Sequence, residues 1–111
     1  RDLPIAVEVR IGDWIIYHVS LPGSTSENHW WIDRKARVVM LKHHSTLYER
    51  VSAKERGVDW HQENSLLDET HAIHGGGFPL ITTDGYFRGV FLVSGLPQVE
   101  DHLFALEVLQ A

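Results

Sequence analysis

The stretch Pro4-Ile5-Ala6-Val7-Glu8-Val9-Arg10-Ile11-Gly12-Asp13-Trp14-Ile15-Ile16-Tyr17-His18-Val19-Ser20-Leu21 decides the fold class. Ile5, Val7, Val9 and Ile11 alternate with Ala6, Glu8 and Arg10, which is the period of a half-buried strand. Gly12-Asp13 separates this run from Trp14–Leu21, rich in aromatic and β-branched residues, so two antiparallel strands joined by a tight turn are expected. Pro22-Gly23-Ser24 breaks the pattern. Further along, Leu80-Ile81-Thr82, a turn at Asp84-Gly85 and a run from Tyr86 to Val93 read as a second hairpin. Gly89 inside that run marks either a bulge or a close backbone approach.

Between the hairpins the period turns helical. From Thr25 or Ser26, Ile32, Ala36, Val39 and His43 recur at near-fourfold spacing, with Asp33, Arg34, Arg37 and Lys42 on the wetter side. Ser45 or Thr46 caps a second helix running through Tyr48, Val51 and Lys54 to Gly57. A weak pattern suggests a short turn of helix around Gln62 to Leu67. Pro97 opens a closing helix whose apolar stripe is Val99, Leu103, Leu106 and Gln110, with Leu109 beside it. Hairpins joined by helices, rather than parallel crossovers, predict an α+β fold: one antiparallel sheet with helices packed on it.

At 111 residues the chain suits one domain, 1–111, and its 43% hydrophobic and 23% charged residues suit a packed globule. The formal charge is −5, and protonating all eight histidines raises it only to +3, so a broad phosphate-neutralising surface and nucleic-acid binding are not expected. No apolar run approaches the roughly 20 residues of a membrane span. The absence of cysteine excludes disulfides, a thiolate nucleophile and thiolate-held metals and permits a reducing compartment; the location expected is cytoplasmic. The chain opens at Arg1 without Met or a leader, which points to an upstream portion, with any targeting information, lying outside it.

Several motifs are missing. Gly75-Gly76-Gly77 lacks the spacing and trailing Lys of a Walker loop, and Leu92 stands where a nucleophile elbow around Ser94 needs glycine. His71 and His74 occur without a His-Glu-x-x-His pattern, so no metal site is assigned. What remains is a set of histidines beside unusual backbone: His44 in a corner between helices, His74 before the glycine triplet, and His102 after Asp101 in the last helix. Imidazole ligates iron, relays protons or merely caps helices, and the structural role is the commoner one. The triplet either turns tightly against a neighbour or offers N–H groups as an anion nest. Of adjacent Trp30 and Trp31 one is expected in a pocket or interface, because neighbouring helical residues diverge by about 100°. Arg34 and Lys35 are placed to receive a ligand carboxylate, with a salt bridge as the commoner outcome.

The runs Trp31-Ile32-Asp33-Arg34-Lys35, His44-Ser45-Thr46-Leu47-Tyr48, His74-Gly75-Gly76-Gly77-Phe78-Pro79, Val93-Ser94-Gly95-Leu96-Pro97-Gln98 and Glu100-Asp101-His102 together resemble uncharacterised protein family 0303, grouped with the haem-degrading-domain proteins of the GlcG and HbpS type. The resemblance covers nearly the whole chain. It implies a profilin-like α-β-α sandwich assembled as dimers or larger rings, a leading helix absent from this chain, and relatives that bind haem or act near cobalamin and glycolate metabolism.

Three readings follow. The first is a small-molecule-binding module, with a tetrapyrrole such as haem as the concrete candidate, built from His44, His74, Gly75, Gly76, Gly77, Ser94, Asp101 and His102. The second is a homo-oligomeric interaction protein whose glycine loop and Ser94–His102 segment pack between subunits. The third is an enzyme using His102 with Asp101 or Glu100 in acid-base work, the catalytic residues otherwise unassigned.

Overall fold

The opening alternation becomes β1 (Ala6–Ile11), turned at Gly12-Asp13 into β2 (Trp14–Ser20). The computed structural model describes residues 4–96 and 98–110, with positions 98, 99 and 110 described as backbone. Pro97, expected at the head of the last helix, and the side chains of Val99 and Gln110, expected on its stripe, lie outside the described residues. Three helices follow the first hairpin: α1 (Ser26–Lys42), α2 (Thr46–Glu55) and α3 (Trp60–Asn64). The second hairpin is β3 (Gly77–Ile81) and β4 (Phe87–Ser94), and α4 (Gln98–Gln110) closes the order.

All three strand pairs are antiparallel and the sheet order is β2-β1-β4-β3. The longest apolar run of the second hairpin, Val90-Phe91-Leu92-Val93, therefore lies in the middle of the sheet and is buried on both faces. Ala6, Val90 and Leu92 pack against Ile32, Ala36 and Val39 of α1. Ile5, Phe91 and Val93 pack on the other face against Ala105 of α4, with Phe78, Leu80 and Phe104 around them. Helices thus cover both faces of one sheet, the α+β sandwich that the residue pattern and the family resemblance imply.

Covering both faces alters the reading of β1. Ala6, Glu8 and Arg10 do not face water as a half-buried strand requires: β1 lies between β2 and β4, α1 roofs that side, and Glu8 is fully buried. On α1, Arg34 was expected on the wet side but is buried. Its guanidinium lies over the rings of Trp30 and Trp31, at 4.3 and 4.2 Å from their centroids, and it donates to the Asp68 carbonyl at 2.8 Å. The segment between α3 and β3 therefore wraps the side of α1 that periodicity alone assigned to solvent. His43, expected on the helical stripe, instead ends α1 in a left-handed conformation. On α4, Leu103 and Leu109 are exposed while Asp101 and Ala105 face inward. Close approach to β4 favours a small residue and a paired carboxylate over the larger apolar ones.

Gly89 serves both purposes expected of it. The β3–β4 register shifts between Leu80 and Ile81, beside Gly89, and a Cβ at Gly89 would run into the carbonyl of Arg10 on β1. The obstruction is backbone, so no side-chain rotation relieves it. Gly89→Ala is expected to lower the free energy of unfolding by about 2–3 kcal/mol, read from the urea midpoint, with the slope unchanged.

Candidate functional site

Asn28, Trp31 and Lys35 stand on α1 at spacings of three and four, which puts them on one helix face. Asn28 has a structural duty there: its Oδ1 accepts from the Thr25 N–H at 2.8 Å, closing the first turn of the helix. The opposite wall comes from the end of β4 at Ser94, the Gly95-Leu96 connection and Asp101 in the first turn of α4. His74, arriving from the strand-free segment before β3, closes the side. Together these residues line a recess of about 330 Å³.

Its floor is a buried ion pair. The Lys35 ammonium donates to Asp101 Oδ2 at 3.1 Å and to the Val93 carbonyl at 2.9 Å, while Asp101 Oδ1 accepts from the Leu96 N–H at 2.9 Å. Burial pushes the Lys35 ammonium below its ordinary range, against the pull of Asp101, and pushes the Asp101 carboxyl up, against the pull of Lys35. An ammonium has three donors, so one remains after these two bonds. Asn28 Nδ2 lies 3.5 Å from Ser94 Oγ, a long contact that leaves both groups available.

The glycine triplet fits this floor closely. Gly76 has φ +121°, its carbonyl accepts from Val93 N–H, and a Cβ on it would meet the Val93 carbonyl, Lys35 Nζ and Asp101 Cβ. Gly77 donates its N–H to Thr46 Oγ1 at 3.1 Å, and a Cβ there would press on Thr46 and Val39. Gly75 is buried beside them. Of the two roles open to the triplet, tight turning against α1 and α2 is the one its contacts support, and Gly77 N–H is not free for an anion. The loop is also buried within its own chain, which removes it as the subunit-packing surface of the interaction reading.

His74 stands with its ring edge on Trp31, the centroids 4.6 Å apart. Its Nδ1 is buried without a hydrogen-bond partner, and neither ring nitrogen bonds another described residue. It also lines the neighbouring hollow that runs past Arg50 and Asp68. Burial first, then the Arg50 and Lys35 cations, hold its pKa below the usual 6.5.

The recess thus collects His74, Ser94 and Asp101 with the Gly75–Gly77 bend beneath, and it does not collect His44 or His102. His44 is exposed, bonds Glu49 Oε2 through Nδ1 at 2.8 Å and tilts over Tyr48. His102 faces a different hollow, lined by residues of α2, and stacks on Phe78 at 4.6 Å. Asp101 and His102, adjacent on a helix, diverge too far to form a dyad, and Asp101 is already committed to Lys35. The acid-base reading on that pair is therefore corrected. Both cations expected to receive a ligand carboxylate have protein partners, Lys35 on Asp101 and Arg34 on Asp68. Asn28 and Leu96 were not among the expected site residues, and Lys35 was expected only as a partner for a ligand carboxylate. The 28/31/35 spacing carried the signal that Asn28 shares a face with Lys35.

Comparison with known proteins agrees with this architecture. The family described as haem degrading protein HbpS-like matches residues 1–110. A UPF0303 protein of Streptomyces avermitilis is 39% identical over 110 residues, which are 99% of this chain and 68% of that protein. The crystal structure of Ybr137w protein superposes with a TM-score of 0.82 at 25% identity, covering 95% of this chain and 62% of that one. The crystal structure of a PduOC:heme complex superposes at 0.75 with 18% identity, over 94% of this chain and 75% of that one, a likeness of fold. The chain therefore spans roughly two thirds of the length of the first two.

His71, His74 and His102 are all held below 6.5 by burial before any other cause. Just below that pH the unfolded chain binds protons that the folded chain refuses, so stability is full above 6.5 and falls as pH drops toward the depressed folded values. The urea midpoint is expected to decrease from about pH 7.5 to about pH 5.5, and His74→Gln should flatten the slope. A flat wild-type profile would contradict this.

Proposed function

We propose that this chain, which belongs to the HbpS-like haem-degrading protein family, is a small-molecule-binding module whose guest sits in the recess between Asn28 and Asp101. The observation that carries the reading is the recess itself: a hollow of about 330 Å³ over the Lys35–Asp101 ion pair, with His74 in its wall and without a hydrogen-bond partner among the described residues. That volume is at the small end of the roughly 300–1,000 Å³ typical of ligand pockets. Trp31 and Leu96 supply apolar cover, and the third Lys35 donor, Ser94, Asn28 and His74 supply polar contacts.

Haem is the concrete candidate, supported by the family's description and by the haem complex among structures of this fold. The residues fit one edge of it. His74 would hold the iron, Trp31 and Leu96 would cover the ring edge, and Lys35 with Ser94 would receive a propionate. Bound iron would supply redox and oxygen chemistry that no side chain here provides. Titration with haem is expected to give a saturable Soret shift at one equivalent, weakened about tenfold or more by His74→Ala. An unshifted spectrum at stoichiometric excess rejects haem as the guest.

A second reading, self-association into a homo-oligomer, is favoured by the hairpin of β1 and β2. The edge strand β2 leaves Trp14 73% and Tyr17 54% exposed, with Ile11, Ile15 and Ile16 beside them. Exposed apolar residues on an open strand edge suit pairing with a second copy, since a two-fold axis uses the same patch twice. Light scattering should report a dimer or larger species that Trp14→Asp combined with Tyr17→Asp converts to monomer. A monomeric wild type defeats this reading.

A further inference from the structure

Away from the recess, and sharing no residue with it, three side chains from three elements converge: Glu8 of β1, His18 of β2 and His29 of α1. Glu8 is fully buried, yet among the described residues a permanent cation fixes just one of its oxygens. Arg10 Nε holds Oε2 at 2.5 Å and carries its Nη2 on to Asp33 Oδ1. Oε1 faces His18 Nδ1 at 2.8 Å and His29 Nδ1 at 3.9 Å.

The outer nitrogens are equally informative. His18 Nε2 lies 3.0 Å from Ser20 Oγ, and His29 Nε2 lies 3.7 Å from Asp33 Oδ2. Each imidazole thus turns one nitrogen to the shared carboxylate oxygen and the other toward an oxygen behind it. That is the outer partnership which orients histidine ligands around a metal. A lone hydrogen bond between Glu8 and His18 requires neither His29 nor Asp33.

The geometry points to a divalent transition-metal site of the zinc class, with Glu8 Oε1, His18 Nδ1 and His29 Nδ1 as ligands and a fourth position open to water. Two imidazoles and one carboxylate are a borderline donor set suited to zinc and its neighbours rather than to calcium or magnesium. The charges agree: Glu8 and Asp33 carry two negatives against the one positive of Arg10, and each imidazole can offer Nδ1 to an ion while its Nε2 points to Ser20 or Asp33. The ligand atoms now lie within 4.8 Å of one another. Zinc bonds of about 2.0–2.1 Å require them about 3.3 Å apart, and His29, half exposed at the surface, has the freedom to close that gap. An ion held there would tie the edge strand to the sheet centre and to α1.

The test is calorimetric titration of the chain with Zn²⁺, and with Co²⁺ for its visible absorption. One equivalent is expected to bind, Co²⁺ giving the intense bands of four-coordination. His29→Ala, a surface change that leaves the core intact, should weaken binding about tenfold or more, and His18→Ala likewise. His71→Ala, outside the cluster, should leave it unchanged. No uptake of Zn²⁺ at a hundred-micromolar concentration overturns the proposal, as does uptake that His29→Ala and His18→Ala both leave unaltered.

Discussion

The Lys35–Asp101 pair is the constraint around which the rest of the molecule arranges itself. Taking two charges out of water costs several kcal/mol per ion, which their attraction offsets only when the remaining donors and acceptors are also bonded. Here two further bonds help: Lys35 also donates to the Val93 carbonyl near the end of β4, and Asp101 also accepts from Leu96. Those bonds exist only if the start of α4, the end of β4 and the middle of α1 meet at one point. A fourth segment must then pass over that point without a side chain, which is why Gly76 stands there with φ +121°. The recess is the space these approaches leave above the pair.

Much of the frame was legible in the residues. Both hairpins, the start of α1 near Ser26 and the Ser45 cap followed from period and turn chemistry, because those signals are local. The binding reading grouped the glycine bend with Asp101, and Gly76 does lie against Asp101 in the first turn of α4. Faces were less legible. Arg34 read as wet because a charge on an amphipathic helix normally is, and the wrapping segment with Asp68 supplies the polar partners that let it lie buried over Trp30 and Trp31. Leu103 read as buried for the converse reason, since apolar spacing does not reveal that β4 comes close enough to prefer Ala105. His44 and His102 were grouped with His74 on their neighbours in sequence, whereas the direction of a side chain from its helix decided which hollow each one faces.

The Glu8 cluster shows how one irregularity hides a site. In a regular two-residue hairpin turned at Gly12-Asp13, the partners Ile11–Trp14 and Arg10–Ile15 would continue to place Tyr17 opposite Glu8. The register instead shifts between Val9 and Arg10, so that Tyr17 faces Val9 and His18 faces Glu8. An extra residue on β2 thus moves an imidazole from beside the carboxylate to directly across from it. Bulges arise from the balance of edge-strand twist and packing, and one-letter patterns carry little of either. The same shift leaves Ile16 as the unpaired residue on the exposed edge, so the irregularity that creates the cluster also increases the apolar surface of the hairpin.

The neutrality of the recess floor governs what the proposed guest can gain. Because Lys35 and Asp101 cancel, attraction for a charged molecule is local and short-ranged, and recognition falls on directional contacts with the third Lys35 donor, Ser94, Asn28 and His74. A guest that fails to bond these groups leaves buried donors unpaired, at a cost of about 1–3 kcal/mol each. A guest that pairs them loses little, since their positions are already fixed by the helix cap, the sheet end and the ion pair. Selectivity therefore comes from the same contacts that hold the fold together, and a substitution that loosens the floor weakens binding without touching the guest.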